Sequence, residues 1–428
     1  MQNDDQTQQT AIADEGGDSF SETSYTSWWD RIKTSLGGLL FGLALIGGSI
    51  PGIFWNEGRA VNTQRALDEG AGLSVTVPAD KIDRANDGKL VHVTGTAKAG
   101  GQVRDPDIGL SANGVRLVRH VEMFQWKEHK KSESRSKLGG GQETVTTYEY
   151  RREWAKDRAE SSSFREQRGH ENPQMRYHGK SFAAPDVKLG AFALSEPIVS
   201  RLGEGKELTP PATLEVALRN RYGAAQIADG KIHIGESVSA PRAGDLKIWY
   251  TAVADGPVSV AARQQAEGFA EFKASNGRSF LLVRNGEHSS AELFDSAKED
   301  NRFLAWILRA AGTLAMFIGW SLLMRPVVVL ADVVPIFGSI AGFGAGLIAA
   351  VLTLIFAPLT MAVAWLYYRP LVSLGIAAAG IAAAFGLKQM RGRQVPRAMT
   401  ALPNPNQVPV QAASFSAAPR SPFLPPRK

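Results

Sequence analysis

Apolar residues gather in four long runs along this chain, Ser35–Trp55, Phe303–Leu323, Ile340–Tyr367 and Leu371–Leu387. A bilayer core of ~30 Å takes roughly 20 apolar helical residues to cross. The first run has that length and carries no charge. A long polar stretch, residues 56–302, separates it from the second. The pattern predicts an α+β membrane protein. Four transmembrane helices, one N-terminal and three C-terminal, would hold a large β-rich domain outside the bilayer. The first run is read as a retained anchor. A cleaved leader has an apolar core of only ~7–15 residues and an A-x-A site, and neither is present. Trp28, Trp29 and Trp55 flank the run as interfacial aromatics do.

Shorter periodicities organise the middle. Asn56–Gly70 reads as a helical stalk, with Ala60, Val61, Gln64, Ala66 and Leu67 on a thin apolar face and Gly70 and Gly72 ending it. Alternation predicts strands at Leu73–Val77, Lys89–Thr94 and Gly114–Trp126. In the last, Leu117, Arg119, Val121, Met123 and Gln125 share one face, and Val118, His120, Glu122, Phe124 and Trp126 share the other. The Gly139-Gly140-Gly141 loop joins it to Thr144–Trp154 as a long hairpin with a flexible tip. Further strands are expected at Phe192–Ser195, Lys231–Ile234, Leu246–Val253 and Phe269–Lys273. The turn Ser275-Asn276-Gly277 leads into another at Phe280–Arg284. Ala291–Phe303 reads as a second stalk feeding the second span. Arg325–Pro335 is too short and interrupted to cross and is read as a connector at the interface.

Charge divides the chain further. The net charge is +6, yet the first thirty residues are acidic (Asp4, Asp5, Asp14, Glu15, Asp18, Glu22, Asp30). Lys388, Arg391, Arg393 and Arg397 follow the last run, and Arg31 and Lys33 precede the first. The positive-inside rule then puts both termini in the cytoplasm and residues 56–302 on the far side. That side is the periplasm or exterior of a bacterial inner membrane, or a lumen in a eukaryote. This asymmetry suits a membrane surface, not nucleic acid. The expected layout is an acidic unstructured tail (1–34), a first span (35–55), the β-rich domain (56–302), three spans (303–387) and a basic, proline-rich unstructured tail (388–428). Eight of the 22 prolines fall in residues 396–428. With no cysteine, disulfides, thiolate zinc sites and a cysteine nucleophile are excluded.

Candidate chemistry is sparse. HExxH, GxSxG and P-loop motifs are absent. His120 and Glu122 project the same way and, with Asp105, Asp107 and His170, would suit a metal or an acid–base pair. The competing reading has them bonding across the sheet or pairing with Arg119 or Arg152. Arg309 and Asp332 are the only charges near bilayer depth in the C-terminal runs, with Arg309 placed to snorkel. Small residues such as Gly342, Gly344, Gly346, Ala349, Gly375 and Gly380 permit close helix approach and favour a homo-oligomer.

Several strings resemble the transmembrane protein 43 (LUMA) family. They are Asn56-Glu57-Gly58-Arg59-Ala60, Gly88–Val93, Asp105-Pro106-Asp107-Ile108-Gly109, Leu117–Trp126, Gly169-His170-Glu171-Asn172-Pro173, Gly244-Asp245-Leu246-Lys247, Arg309–Gly312, Met316–Gly319 and Tyr368-Arg369-Pro370-Leu371. They occur in order over roughly residues 50–390, and the string holding Arg119, His120, Glu122 and Trp126 is the most specific. The resemblance implies four spans with both termini on one side. Animal members sit in the endoplasmic reticulum and inner nuclear membrane, self-associate and organise membrane proteins. The longer tails set this chain apart. It is read as a bacterial member, in which a nuclear-envelope role does not carry over. The expected function is a non-enzymatic membrane scaffold, without cofactor, whose partners are the bilayer, its own copies and other membrane proteins. The alternatives are an ion channel or channel subunit, and then a metal- or lipid-dependent enzyme.

Overall fold

A computed structural model describes residues 8–10, 18–203 and 205–392. Its longest element, helix α1, runs unbroken from Trp28 to Leu73. At 1.5 Å per residue it is ~69 Å long. Ser27 caps it, its hydroxyl accepting the Asp30 N–H at 3.2 Å. The expected first span and stalk are therefore one rod, and Gly70 and Gly72 do not stop it. It ends where the Ser74 N–H reaches back to the Gly70 carbonyl. Helix α2, Ser290–Ala331, opens with a reciprocal capping box between Ser289 and Glu292. It continues through Pro326, so most of the expected connector is helix. The chain turns only at residues 332–334, and Pro335 starts α3, Pro335–Tyr368. Pro370 opens α4, Pro370–Gly392. The first three helices are long and apolar enough to cross a bilayer, and a shorter apolar helix, Pro370–Ala382, follows.

Helices α1 and α2 pack antiparallel. Every seventh residue of α1, namely Ser35, Gly42, Ser49 and Asn56, is buried. At the crossing, a methyl group on Gly42 would sit 2.7 Å from the Gly319 carbonyl oxygen, so only glycine permits this approach. Ile53, Met316 and Ala357 join α1, α2 and α3 in one cluster. Leu40, Phe41, Leu314 and Leu354 point outward, as lipid contact requires.

The domain is built on two sheets. The strands that matter most are β1 (Asp18–Thr26), β2 (Leu90–Lys98), β3 (Arg116–Ser136), β4 (Gln142–Ala155), β5 (Lys180–Ala183), β6 (Lys231–Ile234), β7 (Leu246–Val253), β8 (Gly256–Gln265) and β9 (Leu282–Asn285). One sheet runs Gln8–Thr10, β1, β4, β3, β7, β6 and Ala225–Ala228, with β5 on β3 and Lys206–Leu208 on β7. The other centres on β2 and β8 with β9 beside them. Val91, Val93 and Val260 from the second sheet join Leu117, Val121 and Ile248 from the first in a single core. Each such side chain contributes roughly 1.5–3 kcal/mol on burial. The β3 alternation is as expected: Leu117, Arg119, Val121, Met123 and Gln125 are the buried face.

Four expectations change. Residues 18–34 are not an unstructured tail: β1 pairs with β4 along its whole length, and α1 begins at Trp28. Val75–Thr76 is the only strand within Leu73–Val77. The strand at Phe192–Ser195 is only Phe192–Ala193, because Ser195 caps the short helix Glu196–Val199. Finally, β3 extends ten residues beyond Trp126, and its hairpin tip is tied down rather than flexible. The unstructured tails expected at residues 1–7, 11–17 and 393–428 fall outside the described residues.

Candidate functional site

Polar chemistry concentrates at two ends of the α1–α2–α3 bundle and at one point in the domain. At the domain end, the Glu57 side chain is 1% exposed and takes two hydrogen bonds from Arg309, at 2.5 and 2.8 Å. The Trp365 indole N–H donates a third at 2.8 Å. Arg309 also lies over the Trp306 ring, 4.7 Å from its centroid. A buried carboxylate needs such partners, since hydrocarbon supplies none. Arg309 therefore does not snorkel; it pairs with Glu57 across the bundle. Arg59 donates to Asn301 and Asn56. The Asn56 amide donates to the Ala305 carbonyl, and Asn301 returns a bond to the Ala60 carbonyl. Gly58 leaves room for Tyr368, whose carbonyl accepts from Arg65 at 2.7 Å. The Arg369 N–H bonds back to Trp365, ending α3 before Pro370.

At the far end, Asp332 receives Arg31 at 2.5 Å and the Ser136 hydroxyl at 2.6 Å. Arg31 also donates to the Gly140 carbonyl, Trp28 to the Val329 carbonyl at 3.0 Å, and the Gly139 N–H to the Val333 carbonyl at 3.0 Å. The hairpin tip thus meets the start of α1 and the α2–α3 turn. It lies away from the rest of residues 56–302, which had been expected together beyond one end of the spans. Residues 31 and 57 are 26 helical positions apart, ~39 Å. The two ion pairs bracket a slab a little thicker than a bilayer core of ~30 Å.

In the domain, Asp105 is fully buried and takes two bonds from Arg119, at 3.0 and 2.8 Å, and one from the Tyr250 hydroxyl at 2.6 Å. Asp107 adds a 3.0 Å contact to Arg119. Pro106 sits in the turn that aims both carboxylates. Burial disfavours the Arg119 cation, but the two aspartates outweigh it and raise its pKa. Burial and the Asp105 bond push the Tyr250 phenol well up. This is a closed structural node.

The proposed metal set is not assembled. His120 stacks on Trp249 and bonds Thr251 at 3.1 Å, and Glu122 pairs with Lys247 at 2.6 Å. Both bond across to β7, as the competing reading had it. His170 lies against Trp126, six residues further along β3 and hence ~20 Å away. It bonds Asp18 at 2.8 Å and stacks on Tyr150. Asp105 and Asp107 meet Arg119 on the opposite face. No metal-binding group of three acidic or histidine side chains occurs among the described residues. Asn172 continues the sheet edge: its amide accepts the Trp126 N–H and donates to the Trp126 carbonyl, at 2.8 and 2.9 Å. Gly244, at φ +103°, fits against Pro173, and Asp245 closes the turn by accepting the Arg242 N–H at 2.8 Å.

Sequence reasoning missed Trp365, Asn301, Ser136 and Tyr250. Neither Trp365 nor Asn301 stood out locally: Asn301 sits among the charged residues Lys298, Glu299, Asp300 and Arg302, and Trp365 beside Tyr367 and Tyr368. The profile of the family described as Transmembrane protein 43 matches residues 123–370. Human Transmembrane protein 43 is 33% identical over 370 residues, which is 83% of this chain and 90% of the relative. The chain belongs to the transmembrane protein 43 family. The rat protein is 32% identical over 356 residues, covering 80% of this chain and 87% of its own. The Drosophila melanogaster homolog is 28% identical over 356 residues, with 80% and 91% covered. No solved structure matches. The matched region of this chain contains Arg309, Asp332 and Trp365. Its family and its long apolar helices make the chain an integral membrane protein.

Proposed function

We propose that this protein is a membrane scaffold: a rigid β platform on a helical base, which self-associates and holds other membrane proteins at a fixed height and orientation. The observation carrying this reading is the continuity of α1 and α2. Each passes from the bundle into the domain without a break, and the Glu57, Asn56 and Asn301 bonds staple them at the junction. A domain that closes over the bundle as a lid needs a hinge there. The channel reading called for Arg309 or Asp332 on a hydrated path; Arg309 is paired with Glu57 inside the bundle, and Asp332 holds Arg31 and Ser136 at the hairpin tip. Glu122 and His120, the basis of the enzyme reading, are held in cross-strand pairs. Under this proposal the start of α1 and the α2–α3 turn face the cytoplasm. Crosslinking of the full chain in native membranes, followed by sizing in mild detergent, tests it. Discrete multi-copy species are expected, and a strictly monomeric protein at every concentration would remove self-association.

A further inference from the structure

The ribbon formed by β1, β4 and the distal half of β3 is built for water, yet it runs beside the apolar slab. Strand β3 has 21 residues and spans ~69 Å, the same as α1. It is fixed at both ends, in the domain core and at the Asp332 cluster, so it cannot splay far from the helices. Residues 129–135 are exposed on both faces, so the ribbon stands off the bundle rather than packing on it. Its side chains there include Lys130, Lys131, Glu133 and Arg135. Hydroxyl pairs link Ser132 to Thr146, Ser134 to Thr144 and Ser21 to Thr147 at 3.1, 2.8 and 2.9 Å. Asn172 covers the β3 edge at Trp126, and beyond it that edge meets no further strand among the described residues. Hydrocarbon satisfies neither an open strand edge nor charged side chains.

We infer that the ribbon borders a water-filled space at bilayer depth, closed off from lipid by further copies of this chain. In such an assembly the exposed Leu40, Phe41, Leu314 and Leu354 would meet lipid while the ribbons face inward. Every copy has the same polar side to shield. A closed ring with ribbons inside shields all of them with one interface, and closed symmetry is the usual form of such assemblies. The inference rests on the self-associating reading above.

The chain has no cysteine, so single substitutions report cleanly. Ser134→Cys, Leu40→Cys and the exposed domain site Lys188→Cys are placed in full-length protein in phosphatidylcholine vesicles permeabilised so that reagent reaches both sides. Each is treated with a charged methanethiosulfonate. Ser134→Cys should react at the rate of Lys188→Cys. Leu40→Cys should be ~100-fold slower, because hydrocarbon suppresses the reactive thiolate. In the same vesicles, Leu138→Cys and Val334→Cys, which flank the Gly139–Val333 bond, should be joined by a short bis-maleimide. That shows the ribbon in place while it reacts. A ribbon thiol as slow as Leu40→Cys overturns the inference even if copies associate. So does failure of the tip pair to crosslink, which would mean that the ribbon swings away. Fast reaction, a closed tip and single copies throughout would instead sink both the closure by copies and the self-association on which it rests.

Discussion

The two ion pairs at the ends of the bundle do the same job with different materials. Glu57–Arg309 joins three helices, is closed to solvent on the carboxylate side, and is completed by Trp365. Arg31–Asp332 joins a helix start, a helix–helix turn and the tip of a distant hairpin, with side chains 13% and 9% exposed. The first is a junction between rods that apolar packing already brings together. The second exists only because a polar ribbon spans the length of the bundle. Loss of the first should therefore loosen everything, and loss of the second should release the ribbon alone.

The largest expected effect follows from that contrast. Glu57→Ala leaves Arg309 charged and unpaired in the bundle and should cost about 3–5 kcal/mol. Thermal unfolding in detergent should show domain and bundle losing stability together. The exchanged pair, Glu57→Arg with Arg309→Glu, should recover part of it. Next, Gly42→Val places side-chain atoms against the Gly319 carbonyl and should cost roughly 1–3 kcal/mol through overpacking. It should shift the melting of the bundle and leave Arg119 and Asp105 in place. Asp332→Asn should cost about 1–3 kcal/mol locally by leaving Arg31 and Ser136 poorly matched. Its readout is faster proteolytic cleavage near Leu138, with little change in the main transition. A comparable loss of global stability would erase the difference between the two ends.

The smallest effect depends on pH. His92 is buried where β2 meets the start of α2; its Nε2 bonds the His288 carbonyl at 2.9 Å and its Nδ1 faces Thr76. Burial lowers its pKa more than the His288 bond raises it. His233 is lowered the same way, by burial and then by Lys247. The unfolded chain thus binds protons first. The contribution is complete above the ordinary histidine value of ~6.5 and is lost as pH falls towards the lowered values. Acidification should loosen the domain, where β2 meets the start of α2, before either ion pair of the bundle. His92→Gln should flatten the dependence of melting temperature on pH over that range, and an unchanged slope would remove His92 from the account.

Much of this was legible in the sequence. The apolar runs gave the rods because length and hydropathy are local properties. Period-two alternation gave the buried face of β3, down to Arg119 and Gln125. Arg309 and Asp332 stood out as charges near bilayer depth, although their pairing with Glu57 and Arg31 needed the helix registry. What stayed hidden was long-range. A polar segment such as residues 127–136 carries no burial signal, so its continuation as strand rests on pairing with β4. Residues 18–26 likewise have the composition of an unstructured tail and become a strand only because β4 presents an edge. Asp105 and Tyr250 lie 145 positions apart, and only the closed sheet brings them together.

A scaffold of this kind requires the domain and the bundle to move as one rigid body through α1 and α2. Pulsed electron–electron resonance between spin labels at Lys89→Cys and Ser339→Cys, in full-length protein in lipid, tests it most directly. One narrow distance distribution is expected, broadening in the Glu57→Ala background. A broad distribution in the otherwise unaltered protein would contradict it.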